Sequence, residues 1–219
     1  MSISVITLHS INDIDPHYAI SEDLFSRFLL NATDKGYYFS DLPGLLSEYD
    51  YDKHHIVLTF DDAYQSIVNY ALPHMKEFGI TGTVFVITDA VGGTNEWNRR
   101  AHIRMEHCSW DDIEKLLLEG WMIGSHSHRH FNLLALNDDE VCFEIEQSNK
   151  LLESRLGIRP DIFAYPYGRY DKRIAEIVSK YYKWAVATEN GGTDLTINRF
   201  TFQRLWPLVL PEPHRSLFC

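Results

Sequence analysis

The sequence predicts one α/β domain built on parallel strands, and three observations support this prediction. Short apolar, strand-like runs alternate with helix-like segments along the whole chain, which is the order expected when helices connect parallel strands. At 219 residues the chain has the length of one domain, so the predicted domain covers residues 1–219. Polar candidate residues directly follow several strands, as they do in an α/β barrel. A doubly wound open sheet is the alternative architecture.

In the first half of the chain, we predict strands at 4–9, 55–60 and 83–87 and helices at 21–35, 42–49 and 64–78. Ser21 is the expected N-cap of the first helix, and Gly36 ends it. Pro73 lies within the third helix and is expected to kink it, because proline lacks the backbone N–H. Residues 92–107 have no clear period and are predicted to form a long loop that walls a functional site.

In the second half, we predict helices at 109–119, 137–156 and 171–181 and strands at 122–125, 162–165 and 184–188. Capping boxes that begin at Ser109 and Asn137 open the first two helices. No second domain and no internal repeat is evident.

The composition excludes some partners. A formal charge of −11 disfavours nucleic acid and anionic membranes, since a polyanion would be repelled. No apolar run approaches the roughly 18 residues of a membrane span. Three cysteines without paired spacing fit a reducing compartment. The N-terminal residues lack the features of a signal peptide, so we expect a cytoplasmic protein or a mature form whose leader has been removed.

Two motifs indicate metal chemistry. Asp61 and Asp62 directly follow the apolar strand at 55–60, and His126 and His130 follow the strand at 122–125. On a helical turn, histidines four residues apart reach one ion together, and a carboxylate completes a two-nitrogen, one-oxygen set that leaves a position for water. Adjacent residues of an extended chain point in opposite directions, so one aspartate can bind the ion while the other acts as a base. Such a water has a pKa near 7.

Each motif alone has a simpler explanation. An isolated Asp-Asp pair is more often a turn or a helix cap, and an isolated His-x-x-x-His is more often a solvated helix face. Their occurrence together, at two strand ends of one predicted barrel, favours the metal site. The donor set suits zinc, with cobalt or nickel as alternatives.

Three motifs together resemble the polysaccharide deacetylases, carbohydrate esterase family 4. They are Thr59-Phe60-Asp61-Asp62, His126-Ser127-His128-Arg129-His130 and Phe163-Ala164-Tyr165-Pro166-Tyr167-Gly168. Their order and spacing match, and the last motif is similar to the poly-N-acetylglucosamine deacetylase-like branch. The resemblance implies a distorted (β/α) barrel of seven or eight parallel strands. It also implies hydrolysis of an N-acetyl, less often O-acetyl, group from a sugar or glycan, commonly with Zn²⁺.

The resemblance also implies roles for residues. Asp61 corresponds to the general base, and Asp62, His126 and His130 correspond to the metal ligands. The substrate-binding residues would be Tyr165, Pro166, Tyr167 and Arg204. Among these, the backbone N–H of Tyr167 would help to bind the oxyanion, and Tyr165 and Tyr167 would flank the ion.

The chain departs from the family pattern at three places. Ala63 follows the Asp pair where glycine is usual, and Ala164 stands where many members carry an arginine that holds the base, a place that Arg204 is expected to fill. No clear Leu-x-x-His motif near the C-terminus supplies the general acid, because His214 lies in a Pro-rich tail. His9 is the preferred acid, since the first strand neighbours the last in a closed barrel; a structural histidine capping the strand is the alternative.

Three functions remain open from the sequence. The first is a metal-dependent hydrolase that removes acetyl groups from a sugar or glycan. The second is a non-catalytic carbohydrate-binding protein of the same fold, and the third is a hydrolase of a non-sugar amide. Intact candidates for both the base and the metal ligands favour an enzyme. The sequence leaves the glycan and the oligomeric state undetermined.

Overall fold

The structure is a computed structural model that describes residues 3–13, 19–41, 54–97, 103–188 and 202–204. The strands within these ranges are β1 (Ile3–Leu8), β2 (Ser10–Ile11), β3 (Ala19–Ile20), β4 (Tyr38–Phe39), β5 (His55–Phe60), β6 (Thr83–Val86), β7 (Met122–Ser125), β8 (Ile162–Ala164), β9 (Trp184–Ala187) and β10 (Phe202–Gln203). The α-helices are α1 (Glu22–Asp34), α2 (Leu72–Glu77), α3 (Trp110–Leu118), α4 (Asp138–Leu156) and α5 (Lys172–Val178). The predicted helix at 42–49 and His214 lie outside the described residues.

A parallel sheet of eight strands forms the centre of the fold. Its order is β1-β5-β6-β7-β8-β9-β10, and β4 pairs with the first residues of β5. This arrangement confirms the predicted α/β fold with parallel strands. Within the described residues, β1 and β10 are at opposite ends of the order and do not pair. Among the described strands, the expectation that the first strand neighbours the last is therefore wrong, and these strands form a curled, open sheet.

The two faces of the sheet carry different cores. On one face, buried apolar residues of β1, β5, β6, β8 and β9 pack together, and they are Val5, Val57, Phe85, Ile162, Ala164 and Val186. On the other face, larger clusters pack the sheet against the helices. Strand β5 is buried along its whole length, as expected for a parallel strand covered on both faces. Among the described residues, no helix is both long and apolar enough to cross a membrane.

The helix starts predicted at Ser21, Ser109 and Asn137 are confirmed. Ser21 caps α1 by accepting a hydrogen bond of 3.1 Å from the Leu24 N–H. Ser109 and Asn137 each form a complete capping box at the start of α3 and α4. These caps satisfy backbone donors that the helix itself leaves without partners. The local signals in the sequence are sufficient here because each cap depends on residues only three positions apart.

The segment predicted as one kinked helix at 64–78 has a different form. A π-helical turn over Ile67–Ala71 precedes α2, and Pro73 is in the first turn of α2. The Leu72 N–H donates to the Ile67 carbonyl, five residues back. Because proline has no N–H to donate, the first turn of a helix tolerates it. The segment therefore begins with a wider turn instead of regular α-helix, and Pro73 lies at its junction with α2.

Gly124 has no room for a side chain, so we expect Gly124→Ala to be destabilising. A Cβ atom at Gly124 would lie 2.5 Å from two ring carbons of Phe85 and 3.0 Å from Ile162 Cγ2. Overpacking of this kind costs about 1–3 kcal/mol in the free energy of unfolding. Denaturant unfolding of the metal-free protein measures it. The matched control is Gly124→Ala combined with Phe85→Leu, which should recover part of the loss; simple additivity of the two changes would contradict this steric cause.

Candidate active site

The predicted functional residues come together at the carboxyl edge of the sheet. They follow five different strands. His9 follows β1, Asp61 and Asp62 follow β5, and His126 and His130 follow β7, while Tyr167 follows β8 and Arg204 follows β10. In parallel sheets this edge is where ligands bind. The curl of the sheet brings its two ends close enough for Arg204 to contact Asp61.

The turn after β5 separates the two aspartates. The Asp61 N–H still donates to the Leu8 carbonyl at 2.8 Å, whereas Asp62 and Ala63 have left-handed backbones with φ of 68° and 52°. The predicted cause, alternation along an extended strand, is therefore wrong. After this left-handed turn, the Asp62 carboxylate lies beside His126 and His130. Ala63 occupies a conformation that glycine adopts more easily.

The two histidines converge without a helix. Residues 126–130 form an irregular loop in which Ser127 and His130 have φ of 65° and 58°. The predicted helical turn is thus wrong, although the imidazoles do meet, with 3.2 Å between their Nε2 atoms. Ser127 Oγ accepts a hydrogen bond of 3.0 Å from the His130 N–H, which closes the loop.

Asp62, His126 and His130 form a group that fits a divalent metal ion. Asp62 Oδ1 lies 3.5 Å from His126 Nε2 and 3.7 Å from His130 Nε2, and all three residues are buried. Tetrahedral ligand atoms about 2.0–2.1 Å from one ion lie about 3.3 Å apart, close to these distances. Asp62 Oδ1 is buried and has no hydrogen-bond partner among the described residues. An ion would satisfy this oxygen.

The protonation states of these groups favour a cation. His126 Nδ1 is 2.8 Å from the Ala164 carbonyl; it donates there, which leaves the lone pair of Nε2 directed at the other two groups. Burial, and then the neighbouring charge of His126, hold the pKa of His130 well below its usual value. Burial and the nearby Asp61 raise the pKa of Asp62. Neutral imidazoles beside a buried carboxylate are the arrangement that a metal ion stabilises.

Asp61 has a different environment from Asp62. Arg204 forms two hydrogen bonds with Asp61, of 2.6 Å from Nη1 to Oδ1 and 2.7 Å from Nη2 to Oδ2. Burial alone would raise the pKa of Asp61, but Arg204 outweighs it and holds this pKa far below the usual range. Arg204 is fully buried and also donates to Thr59 Oγ1. It therefore holds Asp61, and its grouping with residues that contact substrate is corrected.

His9 is partly buried beside this ion pair. Burial lowers its pKa to about 4, with Asp61 opposing the shift and Arg204 and His126 adding to it. His9 is therefore neutral at pH 7 and can donate a proton only after it has received one.

Only one of the three residues predicted from the Tyr165–Tyr167 motif exposes its side chain. Tyr165 is fully buried, with its ring 4.9 Å from that of Tyr170, so its predicted side-chain contact with substrate is corrected to a core role. Pro166 is also buried. Tyr167 is 54% exposed, and its ring centroid is 4.6 Å from that of His130. Tyr167 is thus the residue of this motif whose side chain contacts both solvent and the candidate ligand His130.

His107 is a site residue that the sequence analysis missed. Its Nδ1 lies 2.6 Å from the Asp62 carbonyl oxygen, and its ring stacks on Tyr64 at 4.7 Å. It is buried, and this burial lowers its pKa to about 4. A neutral His107 donates from Nδ1 and holds the backbone of Asp62. No spacing to the other motifs distinguishes this histidine in the sequence.

A cavity of about 800 Å³ lies near the site, although none of the candidate metal ligands lines it. His107 and Arg129 line it, together with residues of the segment predicted to wall the site, which are Gly92, Gly93, Thr94, Glu96, Arg104 and Glu106. This volume is in the range of ligand-binding pockets. The described residues of the segment at 92–107 therefore border a cavity that is large enough for a ligand.

The fold and the site together define a class, the α/β proteins whose parallel sheet carries a candidate metal-dependent hydrolytic centre at its carboxyl edge. The chain belongs to the polysaccharide deacetylase family, because the sequence profile of that family matches residues 48–183, more than half of the chain.

Two curated relatives of this chain are described as deacetylases. The chain is 27% identical to the peptidoglycan-N-acetylglucosamine deacetylase of Bacillus cereus over 62% of its own length and 42% of the relative's. It is 29% identical to the deacetylase PgdA of Listeria monocytogenes over 62% of its length and 26% of the relative's. The chain spans half or less of the length of the curated relatives it matches.

The fold is shared with solved deacetylases. Deacetylase PplD of Streptococcus pyogenes, solved in complex with acetate, superposes with a TM-score of 0.80 at 24% identity, covering 97% of this chain and 94% of that one. IcaB from Ammonifex degensii gives a TM-score of 0.78 at 23% identity, covering 99% and 95%. At this identity the similarity establishes the fold.

Proposed function

We propose that this protein is a metal-dependent deacetylase that hydrolyses N-acetyl groups of an acetylated sugar or glycan. The observation that carries the proposal is the contrast between two adjacent carboxylates. Asp61 is paired with Arg204 and remains ionised, while Asp62 faces two imidazole nitrogens with an unsatisfied oxygen. One is arranged to accept a proton and the other to bind a cation, which is the division that amide hydrolysis requires.

The roles follow from position. Asp62, His126 and His130 would hold a divalent ion, with zinc expected from the donor set and cobalt or nickel as alternatives. Such an ion lowers the pKa of a bound water and stabilises negative charge on the acetyl oxygen. Asp61 accepts the proton of the attacking water, since Arg204 keeps it ionised. The exposed Tyr167 is placed to contact the acetyl group, with its backbone N–H as the proposed oxyanion donor.

His9 is the proposed acid for the departing amine. Hydrolysis consumes one water and one amide and yields acetate and an amine, so the proton taken from water must reach the nitrogen. His9 is neutral at pH 7 and lies near Asp61, so it can receive that proton and then donate it. The alternative is that His9 has only a structural role at the end of β1.

The substrate is proposed to be a glycan that contains N-acetylglucosamine. Two relatives of this chain are described as peptidoglycan-N-acetylglucosamine deacetylases, and the cavity lined by His107 and Arg129 has a volume larger than an acetyl group needs. We also propose that the chain belongs to the poly-N-acetylglucosamine deacetylase-like branch, because its motif from Phe163 to Gly168 is similar to that branch and has Ala164 where many members carry an arginine. A purely carbohydrate-binding role gives no reason for a buried Asp61–Arg204 pair, which is costly to bury.

The test is acetate release from N-acetylglucosamine oligomers by protein whose metal content has been measured. We expect release that stops after chelation and returns when Zn²⁺ is added back. A folded, metal-loaded protein that releases no acetate from a panel of acetylated glycans would contradict the deacetylase. Undiminished release from protein shown to be metal-free would contradict the metal centre.

A further inference from the structure

Helix α4 carries one carboxylate that is completely buried. Glu144 has no exposed surface and lies on the side of α4 that also buries Val141, Ile145 and Leu152. A charged group in the interior is unfavourable unless it is paired and fully hydrogen-bonded. None of the steps proposed above uses Glu144. Its burial therefore calls for a role of another kind.

Both oxygens of Glu144 are directed at a single residue, Arg129. Oε2 accepts a hydrogen bond of 2.7 Å from the Arg129 main-chain N–H, and Oε1 accepts one of 2.7 Å from Arg129 Nε. The guanidinium group also packs against the rings of Phe131 and Phe143, at 4.6 and 5.2 Å from their centroids. The contact thus fixes the backbone of Arg129 as well as its side chain.

Arg129 immediately precedes the candidate ligand His130. The loop that contains both is irregular, and His130 has a left-handed backbone with φ of 58°. On one side the loop is held by the Asp89 N–H, which donates to the His128 carbonyl at 3.0 Å. On the other side Glu144 binds the Arg129 N–H. The loop is therefore fixed between the segment after β6 and helix α4.

We infer that Glu144 is a positioning residue of the metal centre, which holds the His130 imidazole in its binding orientation through the main chain of Arg129. This inference rests on the proposed metal-dependent function. Groups that orient metal ligands from the outer shell typically change metal affinity 10–100-fold when they are replaced. Glu144 acts here through a backbone N–H rather than through the imidazole itself.

The test is the dissociation constant of Co²⁺, measured by absorbance titration of the metal-free protein. We expect Glu144→Gln to weaken Co²⁺ binding about 10–100-fold, because the amide NH₂ must face one of the two donors of Arg129. Glu153→Gln, on the exposed side of the same helix, is the matched control and should leave the constant unchanged. Arg129→Lys keeps the main-chain N–H and the positive charge, so it should stay within a few-fold of the unchanged protein.

The outcomes separate this inference from the proposed function. If the unchanged protein binds no Co²⁺, the metal centre itself is wrong. If it binds Co²⁺ and folded Glu144→Gln binds it equally well, the positioning role is overturned while the metal centre stands. If Arg129→Lys weakens binding as much as Glu144→Gln, the route through the main chain is overturned. Denaturant unfolding of each metal-free variant verifies that the titrated protein is folded.

Discussion

Replacing Asp62 with asparagine is expected to abolish metal uptake and acetate release together. Asp62 supplies the one carboxylate of the three-residue group, and its Oδ1 is the buried atom without a hydrogen-bond partner. A bound metal ion is worth several kcal/mol of transition-state stabilisation, so the rate should fall by about 10³-fold or more. Elemental analysis of the purified variant and the acetate assay measure the two effects.

The same change should not destabilise the metal-free fold. Burial and the charge of Asp61 raise the pKa of Asp62, so the carboxylate is unfavourable in its own site when no ion is present. An uncharged amide of the same shape removes that repulsion, and the unfolding free energy of the metal-free variant should equal or exceed that of the unchanged protein. Chelated, unchanged protein is the reference. A variant that keeps both its metal and its activity would contradict the assignment.

Replacing Arg204 with methionine is expected to cost stability and activity. The change leaves Asp61 buried without its cation, and breaking a buried pair from one side typically costs 3–5 kcal/mol. With Arg204 absent, burial dominates and the pKa of Asp61 rises. A base must be ionised to accept a proton, so the acidic limb of the pH–rate profile should move to higher pH. Denaturant unfolding and the pH dependence of acetate release measure these effects.

The control for Arg204 removes both charges. Arg204→Met combined with Asp61→Leu leaves no buried charge behind, so its unfolding free energy should return close to that of the unchanged protein, while acetate release remains absent. If the single Arg204→Met variant unfolds at the same denaturant concentration as the unchanged protein, the buried ion pair contributes nothing to stability, and this account of Arg204 is wrong.

The residues of the candidate metal group could be predicted from the sequence, but not the geometry that joins them. Asp62, His126 and His130 were found because each follows a strand, and parallel strands end at one edge. The predicted pleat and helical turn fail because Asp62, Ser127 and His130 have left-handed backbones. None of these residue types signals that conformation in the sequence as glycine would.

Other site residues show the same limit. The Arg204–Asp61 pair joins residues 143 positions apart, and the His107–Asp62 contact joins residues 45 apart. The pairing of Glu144 with Arg129 depends on how α4 packs on the sheet. Tyr165 was misplaced for a related reason, since the motif that contains it does not reveal which ring faces the core. Sequence spacing locates strand ends, whereas tertiary packing decides which side chains meet there.

The position of Arg204 also has a consequence for the order in which the protein assembles. Strand β10 pairs with β9 through only two residues, and the ion pair beside it closes a very long loop. Contacts of such large separation form late, because the entropy of closing the loop must be overcome first. A chain with the other described strands already in place therefore still lacks the Asp61–Arg204 pair. The buried carboxylate of Asp61, the proposed base, gains its cation only when β10 docks.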